Sequence, residues 1–293
     1  MFPDFLGIGA QKSGTTWLHH NLSQHPEIWM PPVKELHYLD RDPVSLRKRL
    51  TKKTETMRTA RGHLRDTVTG LGRTSGFEDL AWASRYLFAP RNDQWYAGLF
   101  PIHDGRITGE NCLGYAGVQP ERVAHIHGLM PRAKIIYLMR NPIDRAWSTT
   151  VMHFNKPNFN GLSGADLEEV RSHIRAGKTR KHGDYLGNLR NWQAHYPNEQ
   201  IIVGYFDQLL EDPSGLLKDL LDFLGVSSDD RHLPGDVGTR QNRGKGDPIP
   251  EEFEALLSEL HYEEIELLHE AMPNDYTKRW FDDARRLRSE AQA

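Results

Sequence analysis

The 293-residue chain has a single cysteine, Cys112, so it can form no internal disulfide. Its stability must come from burial, and a reducing, cytoplasmic setting is the expectation. No apolar run approaches the roughly 18 residues that a membrane-crossing helix needs, and the chain opens on an apolar strand pattern, not a leader segment. A protein without a membrane span follows. Basic excess is also missing. With 37 Lys and Arg against 40 Asp and Glu the net charge is −3, which argues against a general nucleic-acid binder. No His/Cys spacing has the form of a metal site, and no repeat or low-complexity tract is visible. The Walker order, in which lysine follows the last glycine of the loop, is absent as well.

What is present is enough apolar material, 38% of residues, for one large core. Five short runs read as strands: Phe5–Gly9, Glu27–Met30, Arg106–Glu110, Ala133–Met139 and Gln200–Tyr205. Several are apolar almost throughout, as in strands buried on both faces. Helical patterns separate them, over about Thr15–Gln24, Gln119–Leu129, Pro142–Phe154 and Asp184–Tyr196. The alternation predicts an α/β fold with a central parallel sheet flanked by helices, whose ligands bind at the carboxyl ends of the strands. A single domain over residues 1–293 is expected, with a C-terminal helical region at about 250–293.

The first strand runs into Gln11-Lys-Ser-Gly-Thr-Thr-Trp-Leu18 and then into a helix. Successive backbone N–H groups and the positive end of the helix dipole point at one spot, with Lys12 beside it. Such a cradle suits a phosphate or phosphosulfate. The segment resembles the 5′-phosphosulfate loop of sulfotransferases that use 3′-phosphoadenosine 5′-phosphosulfate (PAPS), a P-loop-like fold. The resemblance implies that Lys12 stabilises charge on the leaving phosphate and that Ser13, Gly14, Thr15, Thr16 and Trp17 surround the 5′ end, with no metal required.

At the fourth strand, Arg140 precedes an N-cap residue, Asn141, and a Pro142 suited to the first helical position; Ser148 follows in the second turn. Arg140 and Ser148 could converge on one phosphate. Arg140-Asn-Pro-Ile-Asp-Arg-Ala-Trp-Ser148 resembles the family's 3′-phosphate motif. Pro32-Val-Lys-Glu-Leu-His-Tyr38 resembles the Lys-Glu-x-His segment of heparan-type carbohydrate sulfotransferases, which makes Glu35 the implied catalytic base; His37 is the imidazole alternative. By the same resemblance Tyr205 helps to hold adenine, and Arg243, Gly244 and Lys245 close the 3′-phosphate pocket. Glu110, at the end of another strand, either orients the substrate or Lys12, or is a buried charge that ties the sheet ends together. The aromatic stretch from Trp82 to Phe100 either lines an acceptor pocket or is plain core. The histidines at 19, 20, 25 and 153 read as surface or packing residues.

Residues 41–73 carry ten Lys/Arg and three Asp/Glu, a net +7, which leaves −10 on the rest of the chain. That segment reads as an inserted lid-like region, a solvated face or a grip for an anionic partner. The resemblance implies an acceptor hydroxyl on a glycan, a small metabolite or an acyl chain held by an acidic carrier protein. The lack of the family's late disulfide implies a cytosolic, bacterial-type member. Two rivals remain, a P-loop nucleotide kinase or NTPase and a non-catalytic module that binds adenosine bisphosphate.

Overall fold

The computed structural model describes residues 1–41, 77–100, 105–156, 158–159, 161–176, 183–239 and 248–290. The basic segment, apart from Arg41, and the loop with Arg243, Gly244 and Lys245 lie outside the described residues.

Five strands form one parallel sheet: β1 (Phe5–Gly9), β2 (Ile28–Trp29), β3 (Ile107–Asn111), β4 (Lys134–Met139) and β5 (Ile201–Tyr205). Their order is β2-β3-β1-β4-β5, so β1 lies at the centre. Leu6 pairs with Glu110 on one side and Ile135 on the other. The chain leaves β1 toward one edge and later crosses to the other. That reversal opens a crevice at the carboxyl ends beside β1, where α/β sheets bind ligands.

The helices are α1 (Thr15–Gln24), α2 (Phe77–Phe88), α3 (Asp93–Ala97), α4 (Pro120–Leu129), α5 (Pro142–Phe154), α6 (Leu167–Arg175), α7 (Tyr185–Gln193), α8 (Phe206–Glu211), α9 (Pro213–Leu224), α10 (Glu251–Ala271) and α11 (Asp275–Glu290). They cover both faces of the sheet. Successive strand residues point to opposite faces, and the two cores divide on that rule. Leu6, Ile8, Ile135 and Tyr137 join the larger core with α4, α5, α7, α10 and α11. Phe5, Ile136 and Leu138 join the smaller one with Trp17, Leu18 and Leu22 of α1 and the leucine stripe Leu216, Leu217, Leu220, Leu221, Leu224 of α9. Burying each such side chain stabilises by about 1.5–3 kcal/mol, an upper estimate against an extended chain. Among the described residues no helix is long and apolar enough to cross a membrane.

The expected strands and helices are all present, three of them with the expected ends and the others with ends displaced by at most three residues. The largest proportional loss is at β2, which keeps two of four residues. It is an edge strand paired only with β3, and Pro31-Pro32 behind it has no N–H to extend the ladder. Asn141 caps α5 as expected, its side chain accepting the Ile143 N–H at 3.0 Å.

Gly109 faces Phe5 across the β1–β3 ladder, and the Phe5 ring lies directly over its Cα, where a Cβ would sit. Gly109→Ala is expected to destabilise the protein by about 1–3 kcal/mol through overpacking, read as a lower denaturation midpoint at unchanged slope.

Candidate functional site

The turn after β1 closes on itself through the Ser13 N–H, which donates to the Ala10 carbonyl at 3.3 Å. Gly14 is the N-cap of α1 at φ 93°, and a Cβ there would meet Leu209 Cδ1 at 2.7 Å. Glycine is therefore required both by the left-handed backbone and by the space. As the N-cap, glycine offers no side chain to the first N–H groups of the helix, and the first turn contains no acidic residue. Those donors point outward with the dipole behind them. Ser13 is fully buried. Thr15 is tied to β3 by Asn111 Nδ2, which donates to its carbonyl at 2.5 Å.

Arg140 stands at the tip of β4, the neighbour of β1. Its Nη1 donates to the Lys12 carbonyl at 3.3 Å, and its guanidinium lies 4.6 Å from the centre of the Phe206 ring. Its backbone is clamped by Tyr185, whose hydroxyl donates to the Arg140 carbonyl at 2.8 Å and accepts its N–H at 3.1 Å. Arg140 Nε is buried without a hydrogen-bond partner. Burial, and then the Arg140 charge, hold the Lys12 ammonium below its usual range; burial lowers Arg140 too. Among the described residues neither cation forms an ion pair. Two cations share a half-buried spot beside an open helix end, and an anion is what completes such a site.

The segment after β2 lies on the other side of the loop. Lys34 Nζ donates to Thr16 Oγ1 at 3.0 Å and stands 3.4 Å from Glu35 Oε1. This lysine links the helix start to the implied base. The sequence placed Lys34 inside a motif without giving it a role. Glu35 Oε2 is 3.5 Å from His37 Nε2, and His37 Nδ1 lies 2.7 Å from Asp40 Oδ2, so the ring donates to Asp40 from Nδ1. Glu35 and His37 both adopt the left-handed backbone, at φ 62° and 52°. Burial alone would raise the Glu35 pKa, but the His37 hydrogen bond and the Lys34 charge outweigh it and hold the carboxyl below its ordinary range. The same pairings, chiefly with Asp40, outweigh burial at His37 and hold the imidazole above its ordinary value.

Glu110 does not reach the phosphate loop. It is buried, and it accepts hydrogen bonds from Leu36 N–H and the hydroxyls of Tyr96 and Tyr115. Trp17 turns away from the crevice into the smaller core, and its indole N–H donates to the Val237 carbonyl at 2.7 Å. Its side chain is thus a packing group of α1. Ser148 is half-buried in the second turn of α5. Tyr205, at the tip of β5, stacks on Tyr276 at 5.1 Å and accepts from Asn274 Nδ2 at 2.9 Å, so α11 and the turn before it engage it. Of the aromatic stretch, Trp82, Tyr86, Trp95, Tyr96 and Phe100 are core, and only Phe88 is exposed. His153 stacks on His173 at 4.0 Å, a packing contact. Donor atoms of His37, Asp40 and Cys112 lie within 4.8 Å of one another. The Arg41 guanidinium reaches both His37 Nε2, at 2.9 Å, and Asp40, at 3.6 Å, so this cluster is already balanced by hydrogen bonds and a cation. An open cleft of about 690 Å³ continues from Asp40 along the start of α4, past Gln119, Glu121, Arg122 and His125.

Comparison with known proteins agrees with this architecture. The model of the sulfotransferase family matches residues 3–230. The Mus musculus heparan sulfate glucosamine 3-O-sulfotransferase 6 is 32% identical over 141 residues, 45% of this chain and 39% of that protein. The Homo sapiens bifunctional heparan sulfate N-deacetylase/N-sulfotransferase 2 is 24% identical over 238 residues, 77% of this chain and 22% of its own length. The chain thus spans less than two fifths of these relatives. Among solved structures, a sulfotransferase from Alicyclobacillus acidocaldarius superposes with a TM-score of 0.65 at 25% identity, covering 96% of this chain and 99% of that one. The sulfotransferase domain of the Synechococcus PCC 7002 olefin synthase shares the fold, with a TM-score of 0.57 at 20% identity over 99% of this chain and 94% of its own. The family match takes in all five strands and the loops at their tips, and the chain belongs to the sulfotransferase family.

Proposed function

We propose that the chain transfers a sulfuryl group from PAPS to an acceptor hydroxyl. The observation that carries this is the pair Lys12 and Arg140, two neighbouring cations at the open end of α1 that form no ion pair among the described residues. PAPS supplies an activated sulfuryl group on one phosphate and a second phosphate on the ribose. The backbone N–H groups from Ser13 to Thr16 and the Lys12 ammonium bind the 5′ end, and Lys12 meets the charge that develops on the leaving oxygen. Arg140 takes the 3′-phosphate with a guanidinium fork, with Ser148 as a neutral donor. A lysine suffices where phosphoryl transfer uses Mg²⁺, because a sulfuryl group carries less negative charge.

Glu35 is the candidate base. It is ionised at neutral pH, and Lys34 and His37 fix its two oxygens. His37, itself held by Asp40, stands ready to stabilise or relay the proton. The cleft that begins at Asp40 is lined mainly by polar side chains and glycines, with Leu39 and Val118 as its apolar residues. That lining favours a hydroxyl-rich acceptor over an acyl chain. The names of the heparan sulfate relatives and the +7 charge of residues 41–73 support an anionic glycan.

Lys12→Ala is expected to lower turnover by about 10²–10³-fold while the fold persists, measured as transfer of labelled sulfate to a glycan panel. Wild-type transfer by that variant would remove Lys12 from the mechanism. Arg140→Ala should weaken adenosine 3′,5′-bisphosphate by at least about tenfold in calorimetry, the loss of one charge-assisted contact. Preferential binding of ATP–Mg²⁺ in the same titration would favour a kinase instead. Glu35→Gln is expected to lower kcat by about 10²-fold or more with unchanged donor affinity. The acid limb of the wild-type pH profile should fall below the ordinary carboxylate range, as the lowered pKa requires. A fully active Glu35→Gln enzyme would move the base to His37, and a wild type that binds donor but transfers nothing would indicate a binding module.

A further inference from the structure

Glu110 occupies the penultimate position of β3, next to Leu6 of β1, and is 1% exposed. Its Oε1 accepts the Leu36 N–H at 2.9 Å and the Tyr115 hydroxyl at 2.9 Å, and its Oε2 accepts the Tyr96 hydroxyl at 2.5 Å. A charge taken this far from water is costly, and here it makes no ion pair among the described residues. The groups facing it are Tyr96, Tyr115, Cys112 and His37. Leu36 separates the two left-handed residues Glu35 and His37. A residue other than glycine held in that backbone is costly and persists only where its surroundings enforce it. The Leu36 side chain is buried in the larger core, and its N–H ends on Glu110. This hydrogen bond is thus placed to hold the strained tripeptide.

We propose that Glu110 is a positioning residue: by accepting the Leu36 N–H it fixes the backbone from which Glu35 and His37 reach each other and the acceptor. This rests on the assignment of Glu35 as base. Burial pushes Glu110 up to about 7, so near neutrality it changes from an acid that must donate one proton to a carboxylate that accepts all three bonds. The positioning is complete only in the ionised form.

The test uses amide hydrogen exchange and histidine NMR on the whole chain, neither of which needs sulfate transfer. In Glu110→Gln the protection of the Leu36 amide should fall at least tenfold, and the raised His37 pKa should return toward its ordinary value. Affinity for adenosine 3′,5′-bisphosphate should stay within twofold. With a glycan that wild type sulfates, kcat should fall at least tenfold. A folded Glu110→Gln protein with wild-type Leu36 protection and His37 titration overturns the proposal. Should that variant not fold, Glu110→Asp decides, because it withdraws the carboxylate by one methylene: unchanged Leu36 protection and His37 titration in it overturn the proposal equally. Stability supplies a sign check. A carboxyl whose folded pKa is raised binds protons more tightly in the native state, so this group's contribution falls as pH rises from about 4.5 to about 7. Failure of wild type to bind the bisphosphate would sink the sulfuryl-transfer assignment and leave these readouts intact.

Discussion

Lys12 and Arg140 repel each other, and the fold holds them together. The sheet forces this proximity, because β1 and β4 are parallel neighbours and their loops leave from the same edge. Arg140 cannot swing out freely: it is packed on Phe206, bonded to the Lys12 carbonyl, and clamped at its own backbone by Tyr185. Lys12 is fixed in a left-handed turn, and Gly14 behind it leaves no room for a Cβ. The spot thus stays rich in positive charge, and Asp144 and Asp207 offset it only in part, since burial still holds Arg140 below its ordinary range. The two cores on either side of the sheet supply the stability that offsets this repulsion.

A second constraint meets the first at Thr16. Lys34 spans from that hydroxyl to Glu35, so the segment after β2 is tied to the start of α1. The segment is strained at Glu35 and His37 and anchored between them at Leu36. Strain at such a place makes chemical sense. The strained backbone presents the Glu35 carboxylate at one angle, where a relaxed loop would present it over many.

The sequence and the structure agree where local chemistry decides. Apolar runs at β1 and β4 predicted doubly covered strands, and the faces of Phe5, Leu6, Ile135 and Ile136 alternate as a pleat requires. Asn141-Pro142 predicted a helix start and makes one. The two differ where side-chain direction decides. Trp17 sits inside a ligand loop by sequence, yet on α1 it points into the smaller core and bonds Val237, more than two hundred residues away. Tyr205 lies at a strand tip, and its contact with Tyr276 of α11 is one that no local pattern announces. The buried aromatics between Trp82 and Phe100 could not be told from a pocket lining, because composition is the same for both.

From its residues alone this chain determined a glycine turn opening onto a helix start after β1, an arginine at a later strand tip and a sheet to hold them, because glycine, proline, lysine order and hydropathy act over a few residues. Only the tertiary structure decided that Arg140 touches the Lys12 turn, that Lys34 joins Thr16 to Glu35, and that Glu110 holds Leu36. Those contacts link residues 18 to 128 positions apart. They depend on strand order and register, which no local pattern encodes.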